Sequence, residues 1–160
     1  MVRKNQQLCR TPLSGRLFAT TFAVLVLLCT ANASAQKAPD KSQLEHGRYL
    51  VQQVGLCGDC HSPRDDHGQP IESKALQGAG IGFKPAVQMP WGEYAPPIVG
   101  LPGVTDAQAI TFLTTGKDPS GHLPKPPMPP YRFNRRDAAA VVAYLRSLAL
   151  QKKVESAQKQ

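Results

Sequence analysis

The sequence predicts a mainly α domain of three to four helices joined by long Pro- and Gly-rich loops. Three observations point there. Capped, helically periodic segments stand near both ends of the chain. The stretch from Cys57 to Tyr131 holds 13 of the 15 prolines and 10 of the 13 glycines, too many for a regular sheet. At its start stands Cys57-Gly58-Asp59-Cys60-His61, a CxxCH, the pattern of covalent c-type haem attachment. Two thiols one helical turn apart can each bond a porphyrin vinyl group, and the adjacent imidazole reaches the iron. A chain wrapped on a large apolar cofactor needs less regular structure, because the cofactor serves as core.

The CxxCH has two plainer readings. A dithiol redox pair would leave His61 incidental, and half of a zinc site would need a second ligand cluster, which the sequence lacks. The other cysteines, Cys9 and Cys29, fall in a segment that reads as a leader. Residues 1–35 carry Arg3, Lys4, Arg10 and Arg16 with no acid, an apolar run from Leu17 to Cys29, and Ala33-Ser34-Ala35 before Gln36. This predicts a signal peptide cleaved near Ala35-Gln36 and a periplasmic or exported protein. The apolar run has 13 residues against the about 20 of an ordinary span, so retention as a signal anchor is the lesser alternative. Cleavage would leave 15 basic and 11 acidic residues, a formal +4, so the basic whole-chain balance comes mostly from the leader and nucleic-acid binding has little support.

After a short linker at 36–41, the domain is expected over 42–149. Ser42-Gln43-Leu44-Glu45 reads as a capping box, with Leu44, Gly47, Leu50, Val51 and Val54 following at helical spacing. Gly47 within that helix suggests a close crossing by another helix, or simple tolerance. His46 reads as a solvated helix residue. A second helix is expected over Thr105–Thr115, opened by the box Thr105 to Gln108 and stopped by Gly116. The last opens on Asn134 as N-cap with Asp137 in its first turn, and Ala138, Val141, Val142, Leu145, Leu148 and Ala149 form its apolar stripe, with Tyr144 at the edge. Residues 150–160 read as a polar, frayed tail.

A second axial ligand would come from Met128, in Pro126-Pro127-Met128-Pro129-Pro130, or from Met89, before Pro90-Trp91, with His67 and His122 as outside candidates. The residues alone leave that choice open.

The arrangement resembles a class I cytochrome c: a helix entering CxxCH, an irregular wrap, a short helix, a Pro-flanked methionine and a terminal amphipathic helix. The matching segments are His46-Gly47-Arg48-Tyr49-Leu50, Cys60-His61-Ser62-Pro63-Arg64 and Asp137 to Leu148. They are similar to monohaem modules in cytochrome subunits of bacterial membrane-bound dehydrogenases. The resemblance implies a small cytochrome c fold around one haem c, with Cys57 and Cys60 as thioether residues and His61 and Met128 as axial ligands. It also implies crossing of the first and last helices, with Tyr49 and Tyr144 as aromatic contacts there. Pro70 is the candidate carbonyl for the His61 ring, and Trp91 and Tyr94 are candidate donors to a propionate.

The implied function is a one-electron carrier in a respiratory or dehydrogenase-linked chain, an electron-transfer protein rather than an enzyme. Its partners would be a dehydrogenase or a terminal oxidase, with a membrane-associated complex as one setting and no stable homo-oligomer. Lys74, Lys84, Lys117, Lys125 and Arg132 are candidates for a basic docking rim. The alternatives are a five-coordinate haem acting as gas sensor or peroxidase, and a CxxC thiol-disulfide oxidoreductase.

Overall fold

A computed structural model describes residues 38–159. The expected leader and its cleavage site lie outside the described residues. Helix α1 spans Lys41–Tyr49 and runs into a single π-helical stretch, Leu50–Val54; α2 is Cys57–His61, α3 Asp106–Thr115 and α4 Arg135–Gln158. Between α2 and α3 lie a 3-10 turn at Glu72–Lys74 and the two-residue strands β1, Ala79–Gly80, and β2, Tyr94–Ala95, paired antiparallel with Ala79 opposite Ala95.

The core forms where the two ends of the domain meet. Leu50 and Val51 of the first helical unit pack with Ala140, Val141, Tyr144 and Leu145 of α4, joined by Leu76 from the wrap. Gly47 is buried in this crossing, and a Cβ on it would collide with the carbonyl of Ala140 and the Cβ of Tyr144. The close crossing anticipated at Gly47 is therefore present, while Tyr49, expected there, is 54% exposed. Gln52 Nε2 donates to Tyr144 Oη at 3.0 Å across the same joint. His46 is not merely solvated: its Nε2 lies 2.7 Å from Asp137 Oδ1, tying α1 to the first turn of α4.

Three element boundaries differ from the sequence reading. Asp40, not Ser42, caps α1, accepting from Gln43 N at 2.8 Å while Ser42 Oγ donates to the same carboxylate. Asp40 sits two residues earlier and its charged oxygen suits the positive end of the helix. Val54, which continues the helical spacing of Leu50 and Val51 in sequence, is 49% exposed. The reason is the π turn: Gly55 N donates to Leu50 O at 2.7 Å, five residues back, which rotates later side chains off the 3.6-residue stripe. At the far end α4 continues to Gln158, because the Gln, Lys, Glu and Ala residues taken for a frayed tail are good helix formers.

The other caps match expectation. Thr105 and Gln108 form a reciprocal capping box, Gly116 ends α3 at φ 68, and Asn134 Oδ1 accepts from Asp137 N at 2.9 Å. Arg146, which the sequence did not single out, joins α4 to the loop before α3. Its Nε donates to Asp106 Oδ1 at 2.8 Å, and its other nitrogens to the carbonyls of Gly100, Leu101 and Val104.

Candidate haem site

The turn that delivers the two cysteines is built by backbone geometry. After the π stretch closes at Gly55, Leu56 takes the left-handed conformation, φ 47 and ψ 39, and reverses the chain into α2. Helix α2 then sets Cys57 and Cys60 one turn apart, both half-buried free thiols. Burial, with smaller contributions from Cys60 and Asp59, pushes the Cys57 thiol up to about 11. That keeps it protonated at neutral pH, the reverse of the low-pKa thiol that exchange catalysts use.

His61 closes the helix and is only 7% exposed. Its Nδ1 lies 2.7 Å from the carbonyl oxygen of Pro96, so Nδ1 carries the hydrogen and Nε2 the lone pair. Burial lowers the His61 pKa, partly countered by the Pro96 carbonyl, and the ring stays neutral, as a metal ligand must be. Nε2 makes no protein hydrogen bond, yet it is not sealed inside: among the described residues the buried side-chain nitrogen or oxygen left without a partner is Lys152 Nζ. An imidazole oriented through one nitrogen, with the other free at an accessible surface, fits an axial ligand.

Pro96 replaces Pro70 as the carbonyl that orients the ring. Pro70 is exposed and bridges Arg64 in a small surface hairpin closed by Ile71 N to Pro63 O at 3.0 Å. No local spacing marks Pro96, which is 35 residues from His61. The backbone of His61 is also gripped: Gly78 N donates to its carbonyl at 2.8 Å, and Ser62 Oγ, buried, accepts from Leu76 N at 3.0 Å. Gly78 has φ 87, and a Cβ there would lie 2.6 Å from Tyr94 Oη and 2.9 Å from Pro97 N. Only glycine lets the β2–Pro97 segment close over His61 in this way.

The remaining candidates separate. Met128 is partly buried, in a turn closed by its N–H donating to Lys125 O at 3.2 Å, whereas Met89 is 44% exposed on the loop after β1. Trp91 Nε1 donates to Phe83 O at 3.2 Å, and its ring meets Phe83 edge-on at 5.6 Å. Tyr94 is 59% exposed in β2. His67 and His122 are exposed in turns organised by Asp65 and Asp118. Lys74, Lys84, Lys117, Lys125 and Arg132 are all exposed, and Gly92 N to Pro126 O at 2.7 Å joins the loop of Lys84 to that of Lys125. Arg132 donates back to the carbonyls of Pro130 and Tyr131.

Residues 44–149 match the model of the cytochrome c family. The chain belongs to the cytochrome c family. The match covers the interval from α1 to the body of α4 and contains the CxxCH, so the cofactor of this cytochrome is covalently bound haem c and its work is electron transfer by that haem. The chain is also 32% identical over 117 residues to the fructose dehydrogenase cytochrome subunit of Gluconobacter japonicus, an alignment that takes in 70% of this chain. It spans 23% of the length of that relative.

Proposed function

We propose that this cytochrome c is a one-electron carrier with His61 and Met128 as axial iron ligands and Cys57 and Cys60 as the thioether residues. The observation that carries the reading is the Pro96 carbonyl at 2.7 Å from His61 Nδ1, which leaves Nε2 alone to face a metal. Bound there, haem c supplies a reversible one-electron couple. Pro96 fixes the imidazole plane and its tautomer. Met128 sits between two proline pairs, so its thioether is offered with little chain entropy to lose. A thioether opposite imidazole favours ferrous iron and raises the potential.

The Cys57 thiol, pushed up by burial, speaks against the thiol-disulfide alternative. The relative named above is a dehydrogenase cytochrome subunit, and we infer a dehydrogenase as electron donor here, with a terminal oxidase or a further carrier as acceptor, outside the cytoplasm and in a membrane-associated complex. Exposed Lys84 and Lys125, on loops joined by the Gly92–Pro126 hydrogen bond, suit an acidic partner.

Replacing each methionine by alanine in the ferric holoprotein tests the ligand. Met128→Ala is expected to abolish the thioether-to-iron absorption band, lower the potential and open the iron to imidazole, while Met89→Ala does none of these. The reverse pattern reassigns the ligand, and no change with either variant rejects methionine ligation.

A further inference from the structure

We propose that Tyr131 is a positioning residue that latches the arm carrying Met128 to the segment carrying Cys57, and so limits how readily an outside ligand displaces the thioether from the iron. This rests on Met128 being the ligand.

Tyr131 Oη donates to the carbonyl oxygen of Gly55 at 2.5 Å, across 76 residues of chain. Gly55 is the residue that closes the π stretch, and one residue separates it from Cys57. A Cβ on Gly55 would lie 3.3 Å from both Cys57 Sγ and Tyr131 Oη, so the phenol, the thiol and this backbone turn share one tight corner.

The other side of the latch is equally fixed. The Tyr131 ring stacks on Phe133, with centroids 5.0 Å apart and planes 8° from parallel. Phe133 packs against the core, and its N–H donates to Leu113 O at 3.0 Å. Between Met128 and Tyr131 stand only Pro129 and Pro130, whose rings hold φ near one value. A short stiff rod therefore connects the thioether to the phenol. Moving the backbone of Met128 away must either bend Pro129-Pro130 or pull Tyr131 from Gly55.

Tyr131→Phe removes the hydrogen bond and keeps the stacked ring. If the bond contributes its usual net amount and all of it opposes release of Met128, imidazole should bind the ferric holoprotein about fivefold more tightly, equivalent to about 1 kcal/mol. The measurement is an imidazole titration followed by the shift of the main haem absorption band, which every variant retains, in wild type, Tyr131→Phe, Met128→Ala, the double variant and Arg146→Lys. Arg146, on α4, holds the loop before α3 rather than the Tyr131 corner, so its variant reports destabilisation remote from the latch. The latch requires tighter imidazole binding in Tyr131→Phe, no gain in Arg146→Lys, and no further gain when Tyr131→Phe is added to Met128→Ala. Unchanged affinity in Tyr131→Phe beside tighter binding in Met128→Ala overturns the latch and leaves the ligand reading standing. An equal gain in the Met128→Ala background also overturns it, by locating the effect on the Cys57 side. No effect from Met128→Ala itself removes the ligand reading and the latch with it.

Discussion

The backbone of α1 at Gly47 rests directly against the carbonyl of Ala140 in α4, with no space for a side chain between them. Gly47→Ala must push the two helices apart or distort one of them. Overpacking costs about 1–3 kcal/mol, partly offset by the better helix propensity of alanine, worth about 1 kcal/mol. A net loss is expected in thermal melts of the holoprotein, larger for Gly47→Val. Unchanged melting in both variants would show that the crossing yields freely.

Arg146 is a second point on which the ends of the domain depend. Its guanidinium reaches Asp106 and three loop carbonyls at once, a planar fork that an ammonium cannot reproduce. Arg146→Ala is expected to lower stability by about 2–3 kcal/mol, since several carbonyls lose their donor together. Arg146→Lys should recover only part of this in denaturant titrations, and full recovery by lysine would contradict the fork.

Tyr144 gives the stability a dependence on alkaline pH. Burial raises its pKa above 10.0, with Arg48 pulling weakly the other way. The folded state thus keeps the phenol proton where the unfolded chain has begun to lose it. That contribution is complete below pH 10.0 and declines as pH rises through the folded value. Burial raises Tyr131 in the same direction. Denaturation midpoints of the holoprotein should fall above pH 10.0, and Tyr144→Phe should flatten the slope. A slope identical in wild type and variant would rule out this origin.

Leu56 is held at φ 47 although its side chain is 52% exposed, so packing does not explain the conformation. The left-handed region costs a non-glycine residue about 1–2 kcal/mol. Leu56→Gly should therefore be neutral or slightly stabilising, while Leu56→Ile, branched at Cβ, should lose stability and yield less mature holoprotein. Equal stability of the two variants would argue that the turn relaxes.

The elements legible in the sequence are those whose signals are local. Thr105, Gln108 and Gly116 bound α3, and Asn134 with Asp137 opens α4, because a cap is decided within one turn. The Cys57 to His61 motif is likewise compact. Contacts across the chain were not legible: His46 meets Asp137 across 91 residues, and His61 meets Pro96 through an irregular loop with no periodic register to read. Val54 continues the helical spacing in sequence yet faces outward, because one π turn resets helical phase without a marker in composition. Ala140 lies outside the stripe read from the sequence, yet its backbone carbonyl is what Gly47 packs against.

The pairing of α1 with α4 also sets an order in time. The surface that Gly47 offers stays without its counterpart until Ala140 has been synthesised, and α4 is the last helix among the described residues. The decisive contacts join distant parts of the sequence, so folding cannot run to completion behind the advancing chain. Cys57 and Cys60 thus remain on an unclosed polypeptide through most of synthesis, and the domain shuts last at the joint that its first helix had prepared.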